Sequence, residues 1–550
     1  MGKLLAKFSL WILGAAVLLQ FIMPFVYPIS AHDSFTHLNW LEQFTKLFRE
    51  GNLYPRWMPQ SFWNFGAPAF YFYPPLTYWL ASIISYVSPA SPASLYQIVG
   101  IVFTTLSVIT FYFYARSITT NKRSAWVGAI IYGVFPYRLL DLYLRDSLSE
   151  HLAFVFLPII FLGIEIALSA LSNKKRLLSV IISAVGWSGM LLSNIPSAAI
   201  SIYVVPIYAL IRILSTKNYI RLLFPFCGAA IGAMIAGVYL LPVTELTSAI
   251  KVYHFWDFLG DEVKNGIFLD FLHGKNRYFD AGLIVTFLIG IGLLTKAYRI
   301  RKKTSSTNLM HVVLIFVSIV VVIQLPYLFF SLLNIAPFFR LIQFSFRWDI
   351  FLVFASALFI ALLYSSVEQS SKILITVSAL VTLIIGTGFF LSMQSEHWQY
   401  KGLPEHIDVA EYLPLSANND FEIVKKELRS HANDDLIISQ NGSSRLHLLS
   451  VTAESIHFSF DSSLSPIPII FHRMYFPTWK LRNNFGMEIP LASDSLGRIT
   501  ALLPPSGGEY RLTIEKSSIE NTGGVISFAG LSILLILSGL TIFWRNPKAS

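Results

Sequence analysis

The chain has 550 residues, of which 54% are hydrophobic and 13% are charged. Soluble domains carry roughly 25% charged residues, so this composition excludes an ordinary soluble protein and predicts a polytopic membrane protein. The formal net charge of +10 does not indicate a nucleic-acid partner, because the loops on one side of the predicted spans are basic with almost no acids, whereas acids balance the basic residues on the other side. The single cysteine, Cys227, excludes an internal disulfide.

The hydrophobic segments predict about 12 or 13 transmembrane helices. Lys3 and Lys7 precede a first span at about 9–28, which we interpret as a retained anchor with a cytoplasmic N-terminus. Segment 76–88 is short for a crossing, which needs about 20 residues, and is predicted to be re-entrant or juxtamembrane. Later spans are predicted at about 94–115, 124–140, 151–171, 178–194, 196–213, 221–243, 280–296, 310–333, 347–366, 372–392 and 524–544. With this topology every strongly basic loop, including 296–303, and the C-terminus lie in the cytoplasm.

The first outer loop, 29–75, is the first long polar interruption of the chain. Its apolar residues recur at three- or four-residue steps: Phe35, Leu38, Leu41, Phe44 and Phe48. This spacing predicts a helix over 34–50, ended by Gly51. We expect the helix to lie along the membrane surface with its apolar face in the lipid boundary, holding the Asp33 carboxylate at the mouth of the bundle.

An aromatic and proline-rich run follows this helix at 54–78. It contains Trp57, Trp63, Tyr71, Tyr73 and Tyr78. Tryptophan and tyrosine prefer the bilayer interface. They could equally stack against a sugar ring.

Few acids are expected near the outer membrane surface: Asp33 in the first outer loop, and Asp141, Asp146 and Glu150 in the second. If 141–150 is helical, Asp146 and Glu150 lie one turn apart on one face, with Arg138 and Arg145 as counter-charges. Purely structural roles are the alternative, since Asp33 could cap the following helix and Glu150 the next span.

Two further groups could bind a ligand. His32, Asp33 and His37 could ligate a divalent metal, although no tight signature such as HExxH is present, and His37 is also a natural hydrogen-bonding partner of the carboxylate. Arg340 and Arg347 lie at the predicted outer membrane edge, where a guanidinium could clamp the phosphate of a lipid carrier. Headgroup snorkelling or pairing with Asp349 is the alternative, and Arg347 has the stronger case for phosphate binding because it starts a span.

Composition changes at about 395, and the residues up to 521 predict a small β-sandwich-like domain outside the membrane. Short helical segments at 409–413 and 421–428 precede alternating segments at 446–451, 455–460, 467–472, 499–503 and 510–514. The chain is therefore divided into a transmembrane domain at 1–394, an extracytoplasmic β-rich domain at 395–521, and a final helix with a cytoplasmic tail at 522–550.

The stretches HDSFTHLNWLEQF, GNLYPRWMPQSFWNFGAPAFYFYPPLTYWL and PYRLLDLYLRDSLSEHLAFVFLP resemble the bacterial membrane-protein family labelled "6-pyruvoyl-tetrahydropterin synthase-related". That family in turn resembles the C-type (GT-C) glycosyltransferase superfamily, whose members use polyprenyl-phosphate sugars and place acids in their first two outer loops. This resemblance implies that Asp33 is the first catalytic acid. Glu150 is the best match for the second, with Asp146 or Asp141 as substitutes.

These observations predict a GT-C-like glycosyltransferase of a bacterial cytoplasmic membrane, with an outward active site that serves the cell envelope. The donor would be a sugar on a polyprenyl phosphate, and the acceptor a glycan, lipid or protein; no cofactor is required by the sequence, and a divalent metal is an option. Asp33 would act as general base, with His37, Arg56, Arg145 and Arg347 binding substrate. The alternatives are a transporter or flippase for lipid-linked sugars, and a non-catalytic factor for envelope polysaccharide assembly.

Overall fold

The computed structural model describes residues 33–251 except positions 89, 120, 136, 139, 140, 146 and 217, single positions between 313 and 336, 338–366 except 343, 409–439 and 446–543. Several predictions therefore lie outside the described residues. They are the spans at about 9–28, 280–296 and 372–392, most of the span at 310–333, the basic loop 296–303, and the residues His32 and Asp146.

The described transmembrane region is built of long apolar helices. Six are long and apolar enough to cross a membrane: Pro92–Ile118, Leu148–Leu168, Asn173–Ser193, Ile195–Ile213, Phe346–Ser365 and Ser518–Ile542. Each coincides with a predicted span, so the chain is a polytopic helical membrane protein. We label the helices α1 Ser34–Arg49, α2 Leu76–Val87, α3 Pro92–Ile118, α4 Lys122–Val134, α5 Leu148–Leu168, α6 Asn173–Ser193, α7 Ile195–Thr216, α8 Leu223–Ile235, α9 Gly237–Leu246, α10 Asp349–Ser366, α11 Phe421–Ser430 and α12 Ser518–Phe543.

Helix α4 is shorter than the predicted span at 124–140. It ends at Val134 because Phe135 is extended, with φ −61° and ψ 145°. Pro136 follows in the sequence, and a residue before proline is disfavoured in the helical region. Its 13 residues span about 20 Å, less than the hydrocarbon core of about 30 Å.

The span predicted at 221–243 is broken into two helices. Tyr219–Ile235 and Gly237–Ala249 meet at a bend of 62°. The Ser527 hydroxyl of α12 accepts the N–H of Val238 at 2.6 Å and donates to the carbonyl of Ile235 at 2.8 Å. Backbone groups freed inside a membrane need such partners, so α12 stabilises the break.

The first outer loop does not lie in the lipid boundary, and that prediction is wrong. Helix α1 forms as predicted, but Leu38, Leu41 and Phe44 are buried against protein. The ring of Phe44 packs on Phe70, with centroids 4.7 Å apart. The predicted apolar face therefore forms part of a protein core.

The aromatic run that follows is also interior. Trp57, Trp63, Tyr71 and Tyr78 are buried, so they are neither a bilayer belt nor an open sugar-stacking surface. Helix α2 packs on α1 and is 12 residues long. It is therefore too short to cross the membrane, in agreement with the prediction.

The C-terminal domain is a two-sheet antiparallel sandwich. Its strands are β1 Ile437–Ser439, β2 Leu446–Val451, β3 Ser455–Phe460, β4 Ile467–Met474, β5 Trp479–Asn483, β6 Glu488–Ile489, β7 Leu491–Ser493, β8 Arg498–Leu503 and β9 Gly508–Ile514. The sheet orders are β1-β4-β8-β7 and β2-β3-β9-β5-β6. The rings of Phe458 and Phe471 meet between the sheets at 5.7 Å. The predicted strands are confirmed, and the missed ones are mostly two or three residues long, too short to alternate visibly.

Strand β4 fastens the first outer loop to the sandwich through three successive carbonyl groups. His472 Nε2 donates to the carbonyl of Trp63 at 3.2 Å. Arg473 Nη1 donates to the carbonyl of Asn64 at 3.0 Å. The N–H of Met474 donates to the carbonyl of Phe65 at 2.8 Å. Trp63 and Asn64 have φ angles of +55° and +71°, a region unfavourable for side chains other than glycine. These hydrogen bonds therefore hold a strained turn, which we call the 62–65 turn.

Candidate functional site

Asp33 lies at the start of α1, as the sequence predicts. It occupies the N-cap position, yet its side chain makes no capping hydrogen bond. Its N–H donates to the carbonyl of Arg145 at 3.0 Å, which joins the two outer loops. Since the carboxylate is half-buried and not committed to the helix end, the simple capping interpretation is not supported.

His37 lies one turn along α1 and is buried. Its Nδ1 is hydrogen-bonded to the Tyr78 hydroxyl at 2.6 Å. Burial lowers the pKa of His37 from 6.5 to about 4, an effect that the nearby Asp33 opposes and Arg145 reinforces. The ring is therefore neutral at neutral pH, and Asp33 would attract it only in its protonated form.

Tyr73, at the end of the aromatic run, lies close to Asp33 and His37. Its ring lies 5.7 Å from that of His37, and its hydroxyl lies near Ser149 and within electrostatic reach of Asp33, Arg347 and Arg145. Burial raises the pKa of Tyr73 well above its ordinary value. It is thus a neutral hydrogen-bonding group at the edge of the site.

The second outer loop does not form the single helix over 141–150 that would put Asp146 and Glu150 on one face. Asp141–Arg145 is one π-helical turn, and α5 begins only at Leu148. Ser147 between them is not helical, with φ −84° and ψ 81°. The break redirects the chain, so that Asp141, Arg145 and Glu150 converge.

These three residues form a buried charge cluster with Tyr137. Arg145 Nη1 donates to Asp141 Oδ1 at 2.8 Å, to Glu150 Oε2 at 2.9 Å and to the Tyr137 hydroxyl at 3.1 Å. The Tyr137 hydroxyl donates to Glu150 Oε1 at 2.7 Å. Burial, followed by the charge of Glu150, raises the pKa of Asp141 well above its ordinary range. Glu150 is 1% exposed, so neither acid reaches the surface.

Arg138 interacts electrostatically with Asp141 and Glu150, as the sequence suggested for a counter-charge, but its hydrogen bonds go elsewhere. Its Nη2 donates to Thr104 and Ser107 of α3 at 3.4 and 3.3 Å, and its guanidinium lies 4.0 Å from the Phe154 ring centroid. Arg138 therefore packs between α3 and α5.

Arg347 lies near the charge cluster, at the start of the span that continues as α10. It is half-buried and interacts electrostatically with Arg145, Glu150 and Asp33. No salt bridge to Arg347 occurs within the described ranges. The neighbouring rings of Phe344 and Phe346 stack at 5.1 Å. By contrast Arg340 is exposed.

Arg56 lies in a different cluster from the one predicted. Its Nε is 3.3 Å from Glu520 Oε1 at the start of α12, and its Nη2 donates to the Val238 carbonyl at 2.9 Å. Its guanidinium also stacks over Tyr54 at 4.0 Å. These contacts join the first outer loop to α9 and α12, and they give Arg56 a structural role.

The described part of the chain contains no group of three or more His, Cys, Asp or Glu side chains that could hold a metal. His32, one of the three suggested ligands, lies outside that part. What the described residues do assemble is a half-buried carboxylate, a half-buried guanidinium and several neutral hydroxyl groups. This set can bind a polar molecule with a negative charge and accept a proton from it or from a second molecule.

Sequence reasoning missed Tyr137 and Ser149, and it did not distinguish Tyr73 from the rest of the aromatic run. The only available signal was their position: Tyr73 ends the aromatic run, and Tyr137 and Ser149 flank the second-loop acids. Contact between these segments depends on the break at Ser147 and on the packing of the loops, which spacing does not reveal.

A sequence model of the family described as "6-pyruvoyl-tetrahydropterin synthase related domain; membrane protein" matches residues 70–394, more than half of the chain. The match includes Tyr73, Glu150 and Arg347, and begins after Asp33. The search of curated proteins gave no match.

Proposed function

We propose that this chain, which belongs to the 6-pyruvoyl-tetrahydropterin synthase related family of membrane proteins, is a glycosyltransferase that uses a polyprenyl-phosphate sugar on the outer side of the membrane. The observation that carries the proposal is that Arg145 brings a half-buried carboxylate and a half-buried guanidinium to one place: its carbonyl accepts the N–H of Asp33 at 3.0 Å, and its guanidinium lies 4.6 Å from the ring of Phe346, the residue before Arg347. The first group suits an acceptor hydroxyl, and the second suits a lipid phosphate.

The proposed reaction is a single displacement. The acceptor oxygen attacks the anomeric carbon of the donor while Asp33 takes the hydroxyl proton as general base. The bond between the anomeric carbon and the phosphate oxygen breaks, and its electron pair leaves with the lipid phosphate. Arg347 stabilises that developing charge, since a planar guanidinium can hold two phosphate oxygens at once.

The surroundings of Arg347 also suit a lipid carrier. Phe344 and Phe346 stack beside it, and Phe338 and Leu341 are exposed on the same outer segment. A polyprenyl chain could lie against these apolar side chains while its phosphate reaches the guanidinium. In this arrangement Arg340, which is exposed, remains at the headgroup level.

A transporter would use ionisable groups near the middle of the membrane. Glu165, a buried acid of the described spans, lies near the end of α5, where Arg212 holds both of its oxygens at 2.7 Å and Tyr208 donates at 2.6 Å. Such a fully paired acid is a structural contact. No observation on the described spans therefore favours transport over transfer.

The test is donor-dependent turnover of the full chain in nanodiscs with a defined polyprenyl-phosphate sugar, with release of lipid phosphate as the readout. We expect Asp33→Asn to abolish turnover while the protein still inserts and binds lipid phosphate. Arg347→Ala should lose about ten- to a hundredfold, because a hydrogen bond to a charged group contributes about 1.5–3 kcal/mol. Arg347→Lys should lose less than the alanine variant, because lysine still offers a point charge.

Arg340→Ala is the matched control, since it removes an exposed arginine from the same outer segment. It should turn over at nearly the unaltered rate. Wild-type turnover by a folded Asp33→Asn protein would remove Asp33 from the base role. Movement of the intact lipid-linked sugar across the bilayer without release of lipid phosphate would support the transporter instead.

A further inference from the structure

The second outer loop touches the first through the main chain of Arg145. Its carbonyl oxygen accepts the N–H of Asp33, and this is the hydrogen bond that precedes the first turn of α1. The orientation of the Asp33 backbone therefore depends on where Arg145 is held.

Arg145 is in turn held by two acids that have no remaining exposure. Asp141 and Glu150 are 0% and 1% exposed, and both are bonded to the same nitrogen of Arg145. Both oxygens of Glu150 are occupied, one by Arg145 and the other by Tyr137. With 1% of its surface exposed, Glu150 offers no open face to a substrate.

Arg145 also contacts the segment that carries Arg347. Its guanidinium lies 4.6 Å from the centroid of the Phe346 ring, the residue that precedes Arg347. One side chain thus contacts the second loop and the segment of Arg347, while its own backbone holds Asp33. A displaced Arg145 would alter the spacing between the proposed base and the proposed phosphate ligand.

We propose that Glu150 and Asp141 are positioning residues, which act on Asp33 and Arg347 through Arg145 and do not touch the substrate. The inference deepens the proposed function and rests on it only for the activity measurement. It replaces the expectation that Glu150 is a second catalytic acid.

The two acids should differ in importance. Burial and the charge of Glu150 raise the pKa of Asp141, so Asp141 is the member of the cluster that can be neutral while Glu150 and Arg145 remain paired. Asp141→Asn imitates that neutral form. Glu150→Gln removes the charge that compensates a buried guanidinium, and should be the more damaging change.

The decisive measurement is hydrogen–deuterium exchange of the full chain in nanodiscs, read on peptides that begin before Asp33 and end near residue 37. We expect Glu150→Gln and Arg145→Gln each to speed exchange at Asp33 by at least tenfold. The double variant should show no further increase, because both changes release the same hydrogen bond. This readout does not require the protein to be a glycosyltransferase.

The matched control is Glu165→Gln, the same substitution on the same helix, also in an ion pair with an arginine. It should leave exchange at Asp33 unchanged. A folded Glu150→Gln protein with unaltered exchange at Asp33 would overturn the proposal. If Glu150→Gln does not fold, Tyr137→Phe, which removes only the hydroxyl that binds Glu150, is subject to the same two outcomes at smaller amplitude.

Activity distinguishes the two roles of Glu150 further. If Glu150 is a positioning residue, adding Glu150→Gln to the Arg145→Gln variant should lower kcat less than twofold. The shape of the pH–rate profile should not change. If Glu150 is a catalytic acid, the fold-losses in kcat from Glu150→Gln and Arg145→Gln should multiply in the double variant, and one limb of the pH–rate profile should disappear. If the wild-type chain shows no transfer, the proposed function fails while the exchange experiment still decides the positioning role.

Discussion

Gly66 is the position where a single added methyl group should most destabilise the packing of the first outer loop against the β-sandwich. It follows the 62–65 turn, is buried, and has φ +82°. A Cβ there would lie 2.6 Å from Cε2 and Cζ2 of Trp57. That indole is buried and packs edge-on against Trp479 at 5.3 Å, so it has little room to move.

Gly66→Ala should therefore incur two costs. The left-handed backbone costs about 1–2 kcal/mol for a residue with a side chain, and the forced overlap adds about 1–3 kcal/mol. We expect the free energy of unfolding to fall by roughly 2–5 kcal/mol. The measurement is equilibrium unfolding of the full chain in mixed micelles, followed by tryptophan fluorescence.

Gly486→Ala separates the two costs. Gly486 has nearly the same backbone angle, φ +80°, but a Cβ added there would meet no atom within 4 Å. It should lose only the backbone term of about 1–2 kcal/mol. Equal losses at Gly66 and Gly486 would refute the argument that Trp57 is held rigidly against the turn.

Two further predictions concern protonation and topology. Because the folded-state pKa of His37 is lowered to about 4 from 6.5, the stability from its neutral ring is complete above pH 6.5 and is lost as the pH falls toward 4. That loss is on the order of 3 kcal/mol, and His37→Gln should remove this part of the pH dependence of unfolding; an unchanged pH profile would contradict it. In a Cys227→Ala background, Ser450→Cys should react with an impermeant thiol reagent from outside, and Ile300→Cys only after permeabilisation. Labelling of both from one side would overturn the topology.

Local patterns in the sequence were sufficient for most elements. The span from Leu148 to Leu168, the helix from Ser34 and the strand Ser455–Phe460 each follow from hydrophobic length or periodicity, which neighbouring residues determine. The sequence also placed Asp33 at the start of its helix. What it could not provide was the partner of each apolar face: Phe44 has the same spacing whether it meets lipid or Phe70.

The candidate site shows the same division. Composition and the spacing of apolar residues determined by themselves that this is a polytopic membrane protein, that a small β-domain precedes its last helix, and that a few acids lie in the loops between its helices. Only the tertiary structure decided that Glu150 is bonded to Arg145 and Tyr137, that Arg56 pairs with Glu520, and that strand β4 holds the 62–65 turn. The physical reason is that hydrogen bonds and ion pairs between distant segments depend on short distances in space, which a residue's neighbours along the chain do not determine.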